Sequence, residues 1–487
     1  MSGLTNFTLL HYTLAYTIVA WIIRASMVPV VLRRQFAPGA AWAWLGIVFL
    51  HPYIGVALYL LVGESRLKPQ RKEIHRQIVA QFRSLAEPAA SRQHLGPGAD
   101  VHPVYEPMVL QAEKISEMPI RSGGPVELLT ECPQFVNRLV NDIDAAKSQV
   151  NLLYYMFVAD QTGEQVADAM IRAASRGVKC RILADAVASR PFWSHSGLAV
   201  RLAAGKVEVA AAMPVASSRR GIARLDLRNH RKLAIIDERI AYAGSHNLIN
   251  ADYGGRRGAP WVDVTGRFVG PVVAEFAGVF CEDWAFETAE FLTPGGTAAT
   301  DNVEPATPMQ VVPTGPDSSG GLYRSLLLAA IQSARSRLII TTPYFVPDEP
   351  TLVSLTMAAD QGVDVKLILP LRPDHFFTAA AGRAHFAKLM EAGVEIYLYR
   401  PGLLHSKTTT VDDAFALFGS ANLDVRSFHL NFELSVLMYG RQTTEQLRNV
   451  QNQYLRDSRR LDAKEWSARS PLKSYADGAI SLLSPLL

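Results

Sequence analysis

The sequence predicts an α/β protein built as two duplicated halves that follow two apolar N-terminal segments. Three observations carry that reading. The pattern H-x-K-x-x-x-x-D occurs twice, as His230, Lys232 and Asp237 and again as His405, Lys407 and Asp412. Each copy is followed by the same turn, Gly244-Ser245-His246-Asn247 in the first and Gly419-Ser420-Ala421-Asn422 in the second. Finally, residues 5–23 and 40–62 contain no Lys, Arg, Asp or Glu, although charged residues make up 19% of the chain.

The two apolar segments come first in the chain. Each is long enough to cross a hydrocarbon layer of about 30 Å. A signal peptide fits poorly, because no Lys or Arg precedes the first run and no small-residue cleavage site follows it. Residues 1–65 are therefore expected to form two transmembrane helices. Arg24, Arg33 and Arg34 lie between the segments, and Arg66, Lys68, Arg71, Lys72 and Arg76 lie after the second. Both flanks are positive, so the positive-inside rule pulls in two directions. The larger cluster favours a cytoplasmic catalytic region held against anionic lipid heads. Residues 66–108 form a basic juxtamembrane linker, helical in part between Gln70 and Leu85. The net charge of the whole chain is only +4 and by itself selects no partner.

From Val126 onward the chain alternates strands and helices. Gln149 to Phe157 reads as a strand, Gly163 to Arg176 as a helix, and Val178 to Ala184 as another strand. The same grammar returns later. Ala145-Ala-Lys-Ser-Gln-Val150 matches Ser333-Ala-Arg-Ser-Arg-Leu338, and Gly177-Val-Lys-Cys-Arg-Ile-Leu183 matches Gly362-Val-Asp-Val-Lys-Leu-Ile368. Such self-similarity is the mark of an internal duplication. The halves are assigned to 109–295 and 296–487, with a seam rich in Thr, Gly and Ala over 290–303. Val207 precedes His230 by 23 positions, while Val394 precedes His405 by 11. The first half thus carries an insert within 211–228, holding Arg219, Arg220 and Arg224. It reads equally as a phosphate- or membrane-binding rim and as a solvated loop. Cys132, Cys180 and Cys281 are too widely spaced for a disulfide framework, and no histidine spacing matches a zinc site, so neither metal nor cofactor is expected.

The repeated motif carries the chemistry. A single H-x-K-x-x-x-x-D match arises by chance in roughly a few per cent of chains this long, and two flanked copies are far rarer. Side chains alternate along a strand, so His230 shares a face with Lys232, and His405 with Lys407. Asp237 and Asp412 have the opposite parity and stand at the strand ends, where they read as turn or support residues. Two lysines can neutralise a phosphodiester and hold the charge that grows as it reacts. Asn247, Asn422, Ser245 and Ser420 offer further hydrogen bonds. One histidine can attack phosphorus and the other can move protons, provided their environments push their pKa values apart. Asp263 and Glu433 lie at comparable distances beyond the two motifs and are the carboxylates available for that task.

These motifs resemble those of the phospholipase D superfamily, whose members pair two such halves as mixed sheets flanked by helices. The stretch His51-Pro-Tyr-Ile-Gly-Val-Ala-Leu-Tyr-Leu-Leu-Val-Gly63 and the segment Ser484-Pro-Leu-Leu487 are similar to bacterial cardiolipin synthases. The resemblance covers nearly the whole chain. It implies conversion of two phosphatidylglycerol molecules to cardiolipin and glycerol at a bacterial inner membrane, through a phosphohistidine. It implies catalytic His230, Lys232, Asp237, His405, Lys407 and Asp412, with His230 as nucleophile, His405 as acid and base, and Asp263 and Glu433 orienting the histidines. Hydrolysis of the same bonds, or phosphatidylethanolamine as donor, are the alternatives. A nuclease is disfavoured, because the chain lacks interleaved aromatic and basic strand platforms. A lipid-binding scaffold leaves the paired histidines without a purpose.

Overall fold

The computed structural model describes residues 2–34, 38–63, 69–85, 101–194, 197–215, 226–253, 260–292, 307–316, 321–482 and 484. The arginines of the first-half insert, most of the seam, and Arg66 and Lys68 lie outside the described residues.

The N-terminal region holds three helices, α1 (Ser2–Arg33), α2 (Pro38–Leu50) and α3 (Pro52–Val62). Within α1, His11–Arg33 is long and apolar enough to cross a membrane, and it is the one such helix among the described residues. The second expected span is corrected here: it is two short helices broken at His51 and Pro52. Proline has no N–H to continue the ladder of α2, yet it suits the first turn of α3. The chain then folds back on itself. Trp44 of α2 meets Tyr59 of α3 edge to face with ring centroids 5.3 Å apart. The two backbones touch where Gly55 passes Val48, and a Cβ on Gly55 would stand 2.7 Å from the Val48 Cα. The hairpin lies along α1, where Met27 and Val31 pack with Trp44, Val48 and Tyr59.

The rest of the chain is α/β and duplicated. In the first sheet the strands run in the order Glu127–Leu129, Thr265–Val269, Ile240–Gly244, Lys232–Ile236, Gln149–Tyr154, Lys179–Asp185 and Glu208–Ala212. In the second, Thr307–Thr314, Glu433–Tyr439, Phe415–Gly419, Thr408–Val411, Arg337–Thr341, Asp364–Pro370 and Glu395–Tyr399 repeat that order strand for strand. The last three strands of each series are parallel and joined through helices, while the motif strand is antiparallel to its neighbours. Arg121–Gly123 and Ser458–Arg460 extend the second sheet at its two edges. The helix Glu106–Ser116 and the strand Arg121–Gly123, expected at the start of the first half, therefore join the second. The open edge of Thr307–Thr314 takes the short strand, and Tyr105, Met108 and Ala112 fill the second half's core.

The sheets bury both faces, which is why their strands read as nearly continuous apolar runs. Outer faces are covered by helices within each half. Inner faces meet across the duplication, where Leu153, Leu233, Ala243 and Phe268 pack with Val311, Ala416, Phe418, Leu434 and Val436. Phe268 and Phe418 stack at 5.9 Å. Gly266 permits that approach, because a Cβ there would stand 2.7 Å from the Phe418 ring. Each such fully buried side chain contributes about 1.5–3 kcal/mol, so the halves hold each other as a single core.

The helix Pro69–Leu85 packs on Val273–Thr288 of the first half. Its Arg71 is buried, bonds Glu287 at 2.6 Å and lies over the Phe286 ring at 4.4 Å. One member of the expected lipid-facing basic cluster is thus spent inside the protein. Replacing Arg71 with Ala leaves Glu287 buried beside a lost charge, and the expected cost is about 3–5 kcal/mol of stability. A thermal melt of Arg71→Ala checks this, and an unchanged midpoint refutes it.

Candidate active site

Both motif histidines lie just before a central strand, at the end where the two halves meet. His230 precedes Lys232–Ile236, and His405 precedes Thr408–Val411. Backbone contacts between the halves fix both segments. The His230 N–H donates to the Phe432 carbonyl at 2.8 Å, and the His405 N–H donates to the Val262 carbonyl at 2.8 Å. Leu403 and Leu404 also pair in parallel with Trp261 and Val262. Each histidine segment is therefore laced to the strand that carries the other half's carboxylate.

The side chains repeat that exchange. His230 Nδ1 bonds Glu433 Oε2 at 2.8 Å, and His405 Nδ1 bonds Asp263 Oδ1 at 2.7 Å. Both pairs cross from one half to the other. A carboxylate on Nδ1 holds the proton there and leaves Nε2 as the nitrogen free to react. All four side chains are buried. Lys232 and Lys407 donate to the carbonyls of His230 and His405, which turns each ammonium back along its own motif. Lys407 of the second half lowers the pKa of His230, and Lys232 of the first lowers that of His405. The four groups thus share one electrostatic site.

Burial dominates the titration of these groups. It pulls His230 down to about 4, against the support of Glu433. It lowers His405 as well, against the support of Asp263. It brings Lys407 down to about 8 and Lys232 well below its ordinary value. Burial also opposes the charge on Asp263, but His405 and its hydrogen bond outweigh it and hold the carboxyl below its usual range. The two carboxylates are not equivalent. Glu433 also accepts from Ser420 at 2.5 Å, Ser427 at 2.9 Å and Asn431 at 3.2 Å, so its charge is shared among four donors. Asp263 directs its hydrogen bond to His405.

Other expected site residues fall in three groups. Ser245 bonds the Val264 backbone through both its donor and acceptor, and Ser420 supports Glu433, so both hydroxyls serve the site's walls. Asn247 accepts from the Met156 N–H at 3.3 Å, whereas the buried amide oxygen of Asn422 has no protein partner among the described residues. Asp237 and Asp412 stand away from the histidines, seven residues on and roughly 23 Å along an extended strand. Asp237 accepts from the Lys147, Ser148 and Gln149 N–H groups at 2.7–2.9 Å, and Asp412 accepts from those of Arg335, Ser336 and Arg337 at 2.8–3.0 Å. Each clasps the turn before the neighbouring antiparallel strand, from a left-handed backbone position. They hold the strand that carries the histidine and touch no reacting atom.

The structure adds residues that the motif did not reveal. Tyr155 meets the His230 ring edge to face at 4.7 Å and lies 5.0 Å from the Lys232 ammonium. Trp261 covers His405 at 4.5 Å. Arg231, the unspecified letter of the first motif, is buried; it bonds Asp283 at 2.7 Å, the Glu433 carbonyl at 3.0 Å and the Thr314 carbonyl at 3.1 Å. Its opposite parity to His230 and Lys232 was the one available signal.

The two halves each match known proteins. A family model described as "Cardiolipin synthase, PLD-like domain" matches residues 139–278 and 327–455, one match in each half. The chain belongs to the cardiolipin synthase family. "Cardiolipin synthase A" of Proteus mirabilis is 33% identical over 96% of this chain and 97% of that protein. "Cardiolipin synthase A" of Erwinia tasmaniensis is 33% identical over 99% of this chain and 100% of that protein. The crystal structure of phosphatidylserine synthase from Haemophilus influenzae superposes with a TM-score of 0.61 over 78% of this chain and 100% of that chain, at 16% identity, a likeness of fold. The chain is a phosphatidyltransferase of the phospholipase D type, with the duplicated α/β architecture described above.

The clasps separate stability from chemistry. The pKa of Asp237 is lowered because the donors of Ser148, Gln149 and Lys147 outweigh its burial, and Asp412 is lowered in the same way by Arg337, Ser336 and Arg335. A depressed pKa stabilises the fold above the unfolded value of about 3.9 and is lost as pH falls through the native value. Asp237→Ala and Asp412→Ala are each expected to lose about 1–3 kcal/mol at neutral pH, towards the lower figure because the carboxylates are partly solvated. The deficit shrinks as pH falls through the lowered native values. Denaturation at several pH values, with turnover of the folded fraction, checks this; loss of turnover without loss of stability refutes it.

Proposed function

We propose that this protein is a membrane-anchored cardiolipin synthase that moves a phosphatidyl group between two phosphatidylglycerol molecules through a covalent phosphohistidine. The observation that carries the reading is the crossed pairing of His230 with Glu433 and His405 with Asp263; with each lysine acting on the other half's histidine, it supports one buried site. The names of the relatives support the substrate class.

In the first step His230 Nε2 attacks phosphorus and the bond to the headgroup glycerol oxygen breaks. His405 Nε2 gives its proton to that oxygen, and glycerol leaves. In the second step His405 takes a proton from the glycerol hydroxyl of the second phosphatidylglycerol. That oxygen attacks phosphorus, the P–N bond breaks, and cardiolipin leaves with His230 restored. Lys232 and Lys407 neutralise the phosphoryl oxygens in both steps, and burial strengthens that interaction. The division of roles rests on the carboxylates. Glu433 divides its charge among four donors, which fits a histidine kept neutral to attack. Asp263 directs its charge at His405, which fits a histidine that must carry a proton.

Transfer rather than hydrolysis requires a lipid alcohol to outrun water. The burial of the site supports that outcome, as does an anchor that keeps it beside lipid. The apolar helix α1 is that anchor, and we assign the catalytic body to the cytoplasmic side of a bacterial inner membrane.

His230→Ala and His405→Ala are each expected to lower turnover at least about 10³-fold. Purified protein with labelled phosphatidylglycerol reads cardiolipin and glycerol directly, and phosphatidate as the main product sinks the transferase reading. A labelled phosphatidyl adduct is expected on the His405→Ala form, and an adduct carried by His405 in the His230→Ala form reverses the roles. In the free enzyme, kcat/KM should rise with pH through about 4 as His230 loses its proton, and fall as His405 loses its own. Each carboxylate raises the pKa of its histidine, so Asp263→Asn moves the alkaline limb to lower pH and Glu433→Gln moves the acid limb to lower pH. Limbs that stay in place in both variants refute the pairing.

A further inference from the structure

We propose that the second apolar segment enters and leaves the bilayer on one face, as a re-entrant hairpin, while α1 alone crosses. The inference rests on the membrane reading above and goes beyond it, because it reverses the side on which residues 35–37 and the start of α1 lie.

Length is the first argument. The helices α2 and α3 have 13 and 11 residues. At about 1.5 Å per residue they reach roughly 20 and 16 Å, short of the hydrocarbon thickness of about 30 Å. Direction is the second. Gly55 lies against the backbone of Val48, and Trp44 meets Tyr59, fifteen residues on. In one continuous helix those two residues would stand about 22 Å apart. The chain after the hairpin thus returns to the level at which it entered.

The outside of the hairpin identifies its surroundings. Trp42, Leu50, Ile54, Leu58 and Leu60 are exposed, as are Leu14, Ile18 and Ile22 of α1. The hairpin carries no charged side chain. A surface that is apolar all round fits hydrocarbon. Two side chains of the region make the kind of internal hydrogen bond that hydrocarbon requires. Arg24 of α1 donates through Nε to the Phe49 carbonyl at 3.1 Å, at the turn where Pro52 ends the ladder, and its guanidinium lies 5.1 Å from the Trp21 ring. Tyr53 at the hairpin tip donates to the Tyr16 carbonyl at 2.9 Å. An arginine at that depth is costly and is expected to find a backbone carbonyl of this kind.

Charge is the third argument and the most telling. With two crossings, Arg33 and Arg34 fall on one side and Lys72 and Arg76 on the other, which defeats the positive-inside rule. With a hairpin, all four lie on the side of the catalytic body and the rule is obeyed. The start of α1 then lies across the membrane from the active site.

Single cysteines at three positions in the full chain test this. Ser2→Cys, Gln35→Cys and Gln70→Cys are treated in intact cells with a membrane-impermeant maleimide, and the parent chain gives the background of its own cysteines. The hairpin expects labelling at position 2, with positions 35 and 70 protected until the cells are permeabilised. Labelling at 35 with protection at 2 and 70 establishes two crossings and overturns the proposal. Protection at all three overturns the crossing by α1. Extraction of the protein by alkaline carbonate strikes the membrane reading itself, whereas retention with the two-crossing pattern strikes the hairpin alone.

Discussion

The crossed hydrogen bonds between His230 and Glu433 and between His405 and Asp263 are the contacts on which the rest of the molecule depends. A buried imidazole beside two buried ammonium groups is held near neutrality by desolvation. Only a carboxylate on the far nitrogen lets it carry a proton when needed. Each carboxylate comes from the other half, so neither half contains a working histidine by itself. The inner apolar faces, the Phe268 and Phe418 stack, and Arg231 reaching the Glu433 carbonyl all serve to hold that exchange in register. The cost of burying so much charge is met locally by hydrogen bonds, since the carboxylate of Glu433 is surrounded by donors.

The site also shows how a duplicated fold gives two like groups unlike surroundings. Strand order, motif and turn are the same in both halves. The difference lies around the carboxylates: Ser245 and Ser420 both bond the backbone that follows, at Val264 and Leu434, and Ser420 also donates to Glu433. The aromatic covers differ too, with Tyr155 beside one histidine and Trp261 beside the other. A symmetric framework supplies the geometry, and a few asymmetric neighbours supply the chemistry.

Much of this was legible in the residues. Motif spacing, strand parity and the repeated βα segments led to two halves, to histidine and lysine on one face, and to Asp237 and Asp412 as supports at the strand ends. Asp263 and Glu433 were recognisable as candidates. Which histidine each would meet was not, because the partners stand 142 and 203 residues apart and meet only when the sheets pack. The placement of Arg121–Gly123 in the second sheet escaped notice for a similar reason, since an open edge is a property of the assembled sheet. Hydropathy found the second apolar segment but not its direction. A window average counts residues along the chain and is blind to a reversal within it; the Pro52 in the middle of that run was the local sign.

The docking of Arg71 on Glu287 has a consequence for how the enzyme meets its substrate. Only six peptide steps separate Gly63, at the end of α3, from the helix that Arg71 pins to the catalytic body. Fully extended, they reach at most about 22 Å. The body is on a short tether, and its approach to lipid is a matter of orientation rather than of search. With α1 as the proposed membrane anchor, substrates arrive by lateral diffusion in two dimensions. The relevant concentration is then the mole fraction of the lipid in its leaflet, and turnover should respond to surface dilution by inert lipid far more than to the amount of membrane in solution.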